Sequence, residues 1–95
     1  MIRYAWDPRK ADANLRKHGV SFEEAATAFG DPLSLTTRDP DRSLDEERFI
    51  LIGRSSSQLL VVVVHVERDD IIRIISARPA SRRERVLYEK ADQKG

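Results

Sequence analysis

The chain contains no cysteine, which excludes disulfides and thiolate metal sites and favours a reducing compartment. Its two histidines, His18 and His65, are far apart, and no H-E-x-x-H occurs, so no metal ligand is expected. Four glycines never gather into a phosphate-binding loop, and G-x-S-x-G is absent, so neither a cofactor nor a serine nucleophile is expected. The longest apolar run, Leu59 to Val64, is too short to cross a bilayer, and the first eight residues lack the apolar core of a signal peptide. No membrane partner is expected, and the chain reads as cytoplasmic. The adjacent acids Asp69-Asp70 and Glu46-Glu47 project in different directions, which argues against a paired-carboxylate centre.

What is present fits one small domain spanning residues 1–95, with 40% apolar and 35% charged residues. A net charge of +1 conceals an uneven distribution. Residues 31–48 carry three basic and six acidic groups, whereas residues 68–95 carry eight basic and five acidic. A basic face suited to an anionic partner is expected, with solvated helix faces as the plainer account.

Residues 2–6 read as a short strand. Asp7-Pro8 then supplies an N-cap and a proline for the first helical turn, and Gly19 supplies a left-handed stop. Ser21 and Glu24 form a capping box ahead of an apolar stripe, Phe22, Ala25, Ala26 and Phe29. The two helices should form a hairpin that lays Leu15, Phe22 and Phe29 on a sheet. Residues 33–37 alternate like an exposed strand, and Arg38 to Glu47 reads as a loop. Phe49–Gly53, Leu59–Glu67 and Ile71–Arg78 read as three strands joined by hairpins, with Val61–Val64 central. A second capping box, Ser81 and Glu84, opens a last helix with Leu87 and Ala91 inward. The expected class is α+β, in the order β-α-α-β-β-β-β-α.

The last third concentrates the chemistry. Cleaving RNA without a metal requires proton transfer at the 2′-hydroxyl and the leaving oxygen, plus fixed cations for the phosphorane. Arg78, where a strand hands over to a helix, is the first candidate, sharing an anion with the amides of residues 82–84; pairing with Glu84 or Glu89 is the structural alternative. Arg73 interrupts I-I-R-I-I and faces solvent, a partner or a ligand, or else guards a sheet edge. His65 with Glu67 reads as a proton shuttle or as a satisfied structural pair. Tyr88 reads as a phosphate donor or base-stacking ring, or as packing against the sheet. His18 complements a helix dipole. Arg82, Arg83 and Arg85 read as an outer face for RNA or a protein partner, and Lys10 and Arg68 as further RNA contacts. Whether His65, Glu67 and Arg73 share a face depends on hairpin register.

The series W-D-P-x-K-A-x-x-N-L-x-K-H-G-V-S-F-E-E-A, then E-R-F, then R-I-I-S-A-R-x-A and E-R-x-x-Y-E, resembles the BrnT toxin family across Trp6–Phe29, Glu47–Gly53 and Arg73–Glu89. The resemblance implies a ribonuclease toxin of a type II toxin-antitoxin module with a RelE-like fold, an antiparallel sheet of four to five strands packed against helices. It also implies a ribbon-helix-helix antitoxin, through which the complex touches operator DNA. Arg73, Arg78 and Tyr88 occupy elements comparable to those that carry RelE-type catalysis. Pro79 after Arg78 departs from much of the family. The competing readings are a non-catalytic nucleic-acid-binding or co-repressor module and an inactive homologue that only binds antitoxin.

Overall fold

Asp7 accepts a hydrogen bond from the Arg9 amide at 2.8 Å and starts α1 (Pro8–His18), which ends at Gly19 with φ 73°. Such a φ suits glycine because it has no Cβ to clash. Ser21 accepts from the Glu24 amide at 3.0 Å and starts α2 (Phe22–Thr27). The expected longer helix tightens into a 3₁₀ turn, Ala28–Gly30. The remaining elements are β1 (Arg3–Ala5), β2 (Leu35–Arg38), β3 (Phe49–Arg54), β4 (Leu60–Arg68), β5 (Ile71–Pro79) and α3 (Arg82–Lys94). This computed structural model describes residues 1–41 and 46–94, so part of the expected 38–47 loop lies outside the described residues. The α+β class and the order of elements agree with expectation.

The sheet order is β1-β5-β4-β3-β2, which puts β4 at the centre. Strands β2 to β5 form an antiparallel meander, whereas β1 pairs parallel to β5, so the sheet is antiparallel except at that edge. The β4–β5 turn is two residues, with Asp69 at φ 55°, a conformation aspartate tolerates.

The helical hairpin covers one face. There Val20, Phe22, Ala25 and Ala28 pack on Leu51, Val61, Val63, Ile72, Ile74 and Ala77 as the main core. A Cβ on Gly53 would lie 3.0 Å from the Ala28 carbonyl oxygen, so glycine lets the 3₁₀ turn approach β3. On the other face α3 lies over the β3 end of the sheet, where Leu60, Val62 and Tyr88 are buried.

Two inward-facing residues differ from expectation. Leu15 is 47% exposed, and Asn14 is the buried residue on α1. The cause is a short β1, which pairs only with Ile71 to Arg73 and leaves the rest of β5 as an open edge. Asn14 fills that edge, donating to the Ala77 carbonyl at 2.7 Å, accepting from its amide at 3.1 Å, and donating to the Val20 carbonyl at 3.0 Å. On α3 Leu87 is 52% exposed, and Tyr88 points inward instead. Glu84 and Tyr88 share a helix face by their spacing of four, and their bonds to Arg78 and Asp31 set the rotation of α3.

Candidate active site

Strand pairing sorts the candidate residues onto two faces, because directly paired residues in a sheet point the same way. His65 pairs with Phe49 and Ile74, and Glu67 with Ile72, which places both on the face covered by the helical hairpin. Arg73 pairs with Val66, Arg78 with Val62, and Arg68 with Ile71, which places all three on the opposite face. The register therefore does not bring His65 and Glu67 to the arginines.

An odd spacing of five would normally send Arg73 and Arg78 to opposite faces. Val64 pairs with Ser76 and His65 with Ile74, so Ile75 is an extra residue without a partner. This β-bulge reverses the alternation and returns Arg78 to the face of Arg73. Ser76 lies between them on that face.

Arg78 reaches Glu84 through two parallel bonds, Nη1 to Oε1 and Nη2 to Oε2, each 2.7 Å. Glu84 also accepts from the Ser81 amide at 2.8 Å, and the Ser81 hydroxyl accepts from the Glu84 amide at 3.2 Å, completing the capping box. The guanidinium holds the Glu84 carboxyl down at about 2, and Glu84 in turn raises Arg78 above its ordinary value. Both groups thus stay charged at neutral pH. Arg78 is a fixed cation with a planar fork rather than a proton donor. The Glu84 amide is used by the cap, so it is not free for a shared anion.

Arg73 pairs with Glu46, and both side chains are nearly half exposed. The two line a shallow cleft with Val66, Arg68 and Ile71. Tyr88 is 5% exposed and donates its hydroxyl to Asp31 Oδ2 at 2.7 Å. The Arg54 amide reaches the same oxygen at 2.8 Å, and the Arg54 guanidinium carbon lies 5.5 Å from the Tyr88 ring centroid. Burial, and next the bond to Asp31, push the Tyr88 phenol up. Burial alone would raise Asp31, but bonds from Tyr88 and from the Leu33 and Arg54 amides outweigh it and lower the carboxyl. Tyr88 is consequently a protonated tether between α3 and the loop before β2.

His65 is fully buried between Phe29, edge-on at 4.8 Å, and Phe49, stacked at 5.8 Å. Its Nε2 lies 2.9 Å from Glu67 Oε2, and Nδ1 is buried without a partner. Such packing keeps substrate away from the ring. Arg82 and Arg83 are exposed in the first turn of α3. Lys10 is exposed on α1, which packs against the opposite face of β5, so it does not join them. Among the described residues no three metal-ligating side chains cluster together.

Sequence reasoning missed Asn14, Asp31, Glu46 and Arg54. Asn14 had a signal, since it is a polar residue inside the quoted W-D-P to F-E-E-A series. Asp31 and Arg54 meet each other, and Glu46 meets Arg73, only through tertiary contacts.

A family model described as "Ribonuclease toxin, BrnT, of type II toxin-antitoxin system" matches residues 6–84. No curated protein gives a match. Among solved structures the chain is similar to the crystal structure of the Brucella abortus ribonuclease toxin BrnT, with a TM-score of 0.63 and 21% identity over 86% of this chain and 100% of that one. At that identity the likeness concerns the fold.

Proposed function

We propose, from the premise that this chain belongs to the BrnT family of ribonuclease toxins of type II toxin-antitoxin systems, that it is an endoribonuclease that cuts RNA without a metal at the strand-to-helix junction of Arg78. The observation that carries this reading is the two-bond grip of Arg78 on Glu84. Two carboxylate oxygens stand where two phosphate oxygens fit the same fork. RNA would displace Glu84 from Arg78, and Arg73 on the same face would neutralise a neighbouring phosphate.

In the proposed reaction the 2′-oxygen forms a bond to phosphorus as the bond to the 5′-oxygen breaks. The 2′-hydroxyl loses a proton and the leaving oxygen gains one. The products are a 2′,3′-cyclic phosphate and a 5′-hydroxyl. Arg78 stabilises the charge that develops on the phosphorane, and its fixed charge makes it a clamp rather than an acid. Tyr88 is assigned a positioning role through Asp31, since its proton is committed there.

The toxin would act in the cytoplasm and be silenced by a ribbon-helix-helix antitoxin covering the arginine-bearing face. The antitoxin complex would in turn bind operator DNA. A second reading, a homologue that binds antitoxin without cutting RNA, is favoured by the commitment of His65 and Tyr88 to internal contacts. Incubating RNA with purified protein in EDTA separates the two. Fragments ending in cyclic phosphate, lost in Arg78→Ala, support the enzyme; intact RNA supports the second reading.

A further inference from the structure

The parallel pairing of β1 with β5 brings an arginine from the start of the chain beside two from its last third. Arg3 pairs with Ile71, and Ile71 with Arg68, so Arg3 and Arg68 flank Ile71 in one row across three strands. Arg73, two residues further along β5, projects from the same face and lines the cleft with Arg68. Three arginines thus share one face at the β4–β5 hairpin end of the sheet.

Their carboxylate partners do not fully neutralise them. Arg73 pairs with Glu46, and Arg3 approaches Asp70 at a distant 3.9 Å with both side chains more than half exposed. Arg68 makes no ion pair among the described residues. Three arginines thus meet two ion-paired carboxylates, and Arg68, the one outside these pairs, borders the cleft. Apolar Val66 and Ile71 supply the cleft's walls.

We propose that Arg3, Arg68 and Arg73 form a second phosphate subsite for single-stranded RNA. It rests on the ribonuclease reading for the identity of the polymer. Because β5 carries both Arg73 and Arg78 on this face, a strand laid along it meets the row a few nucleotides from the phosphate held by Arg78. Glu46 occupies the subsite as a competing anion and leaves when phosphate binds.

The test is polarisation binding of a labelled 2′-O-methyl RNA oligonucleotide, which cannot be cleaved, across a series of salt concentrations. Each lost phosphate contact lowers the slope of log K against log salt by about 0.7. Arg68→Ala should lower the slope by that amount and weaken binding several-fold, Arg3→Ala should weaken it in the same direction, and Glu46→Gln should tighten it. Arg16→Ala, on the opposite layer, should change nothing. A labelled dinucleotide, too short to span both ends, should bind wild type and Arg68→Ala alike. Unchanged slopes for Arg3→Ala and Arg68→Ala overturn the subsite. The same result follows if those variants lose only a protein partner. A wild-type chain that shows the expected slopes but leaves RNA intact both in EDTA and with magnesium overturns the ribonuclease reading and not the subsite.

Discussion

Arg73 and Arg78 stand on the same face of the sheet because Ile75, the unpaired residue between them, reverses the alternation of β5. The bulge does more than bend a strand. It lets one face collect cations while the other keeps Ile72, Ile74 and Ala77 in the core. A regular strand would force one arginine into the apolar layer under α1 and α2, where a buried unpaired charge is very unfavourable.

The Arg78–Glu84 pair makes stability depend on acid. Glu84 is held below its unfolded value of about 4.5, down to about 2, so its contribution is present above pH 4.5 and lost as pH falls towards 2. With Arg78 43% exposed, the pair should contribute about 1 kcal/mol after solvent screening. Urea midpoints measured against pH should fall less steeply over that window in Glu84→Gln than in wild type. Parallel curves for the two proteins would refute the assignment.

Asn14→Ala should destabilise the fold by about 3 kcal/mol, since it strands the amide and carbonyl of Ala77 at a buried edge. Its neighbour is the control. Leu15→Ala removes a half-exposed side chain and should cost less than about 1 kcal/mol. Chemical denaturation of the two variants gives the comparison, and equal losses would contradict the edge-filling role.

Tyr88→Phe keeps the ring and removes the bond to Asp31, which retains its amide donors from Leu33 and Arg54. The expected cost is about 1 to 2 kcal/mol of stability. RNA cleavage should drop less than in Arg78→Ala, because the phenol positions α3 without touching phosphate. In wild type, ultraviolet titration should show Tyr88 ionising above the usual phenol range.

His65→Leu should leave RNA cleavage within a few-fold of wild type, because the ring sits in the layer away from Arg73 and Arg78. Stability should change little, since the variant removes an unpartnered buried Nδ1 as well as a bond to half-exposed Glu67. A cleavage assay and a denaturation curve on the same preparation decide it. Loss of cleavage with an intact fold would place His65 in the reaction after all.

Much of the architecture was legible in local chemistry. Asp7-Pro8, Gly19, Ser21 and Ser81 marked helix ends that the structure reproduces, and the unbroken Val61–Val64 run marked the central strand. These signals act over a few residues. What escaped depends on partners distant in sequence: Asn14 faces inward because β1 is too short to cover β5, and the acceptor that holds Tyr88, whose packing on the sheet was one of the open readings, is Asp31. The candidate site depended most on the bulge, since the face of each arginine follows from Ile75 having no partner. Neither its composition nor its spacing distinguishes Ile75 from its neighbours. The pairing of Arg78 with Glu84 was one of the alternatives open from sequence, whereas the exposed partner of Arg73, Glu46, was not.

The parallel edge strand also sets a schedule. β1 is made before its partner, Ile71 to Arg73; Arg3 and Ile71 lie 68 residues apart, and such distant pairings form slowly. Until then Arg3 has no neighbours in Arg68 and Arg73, and the first strand of the sheet has no place to dock. A growing chain of a ribonuclease toxin family therefore keeps its cation row incomplete until β5 has been made and has captured β1.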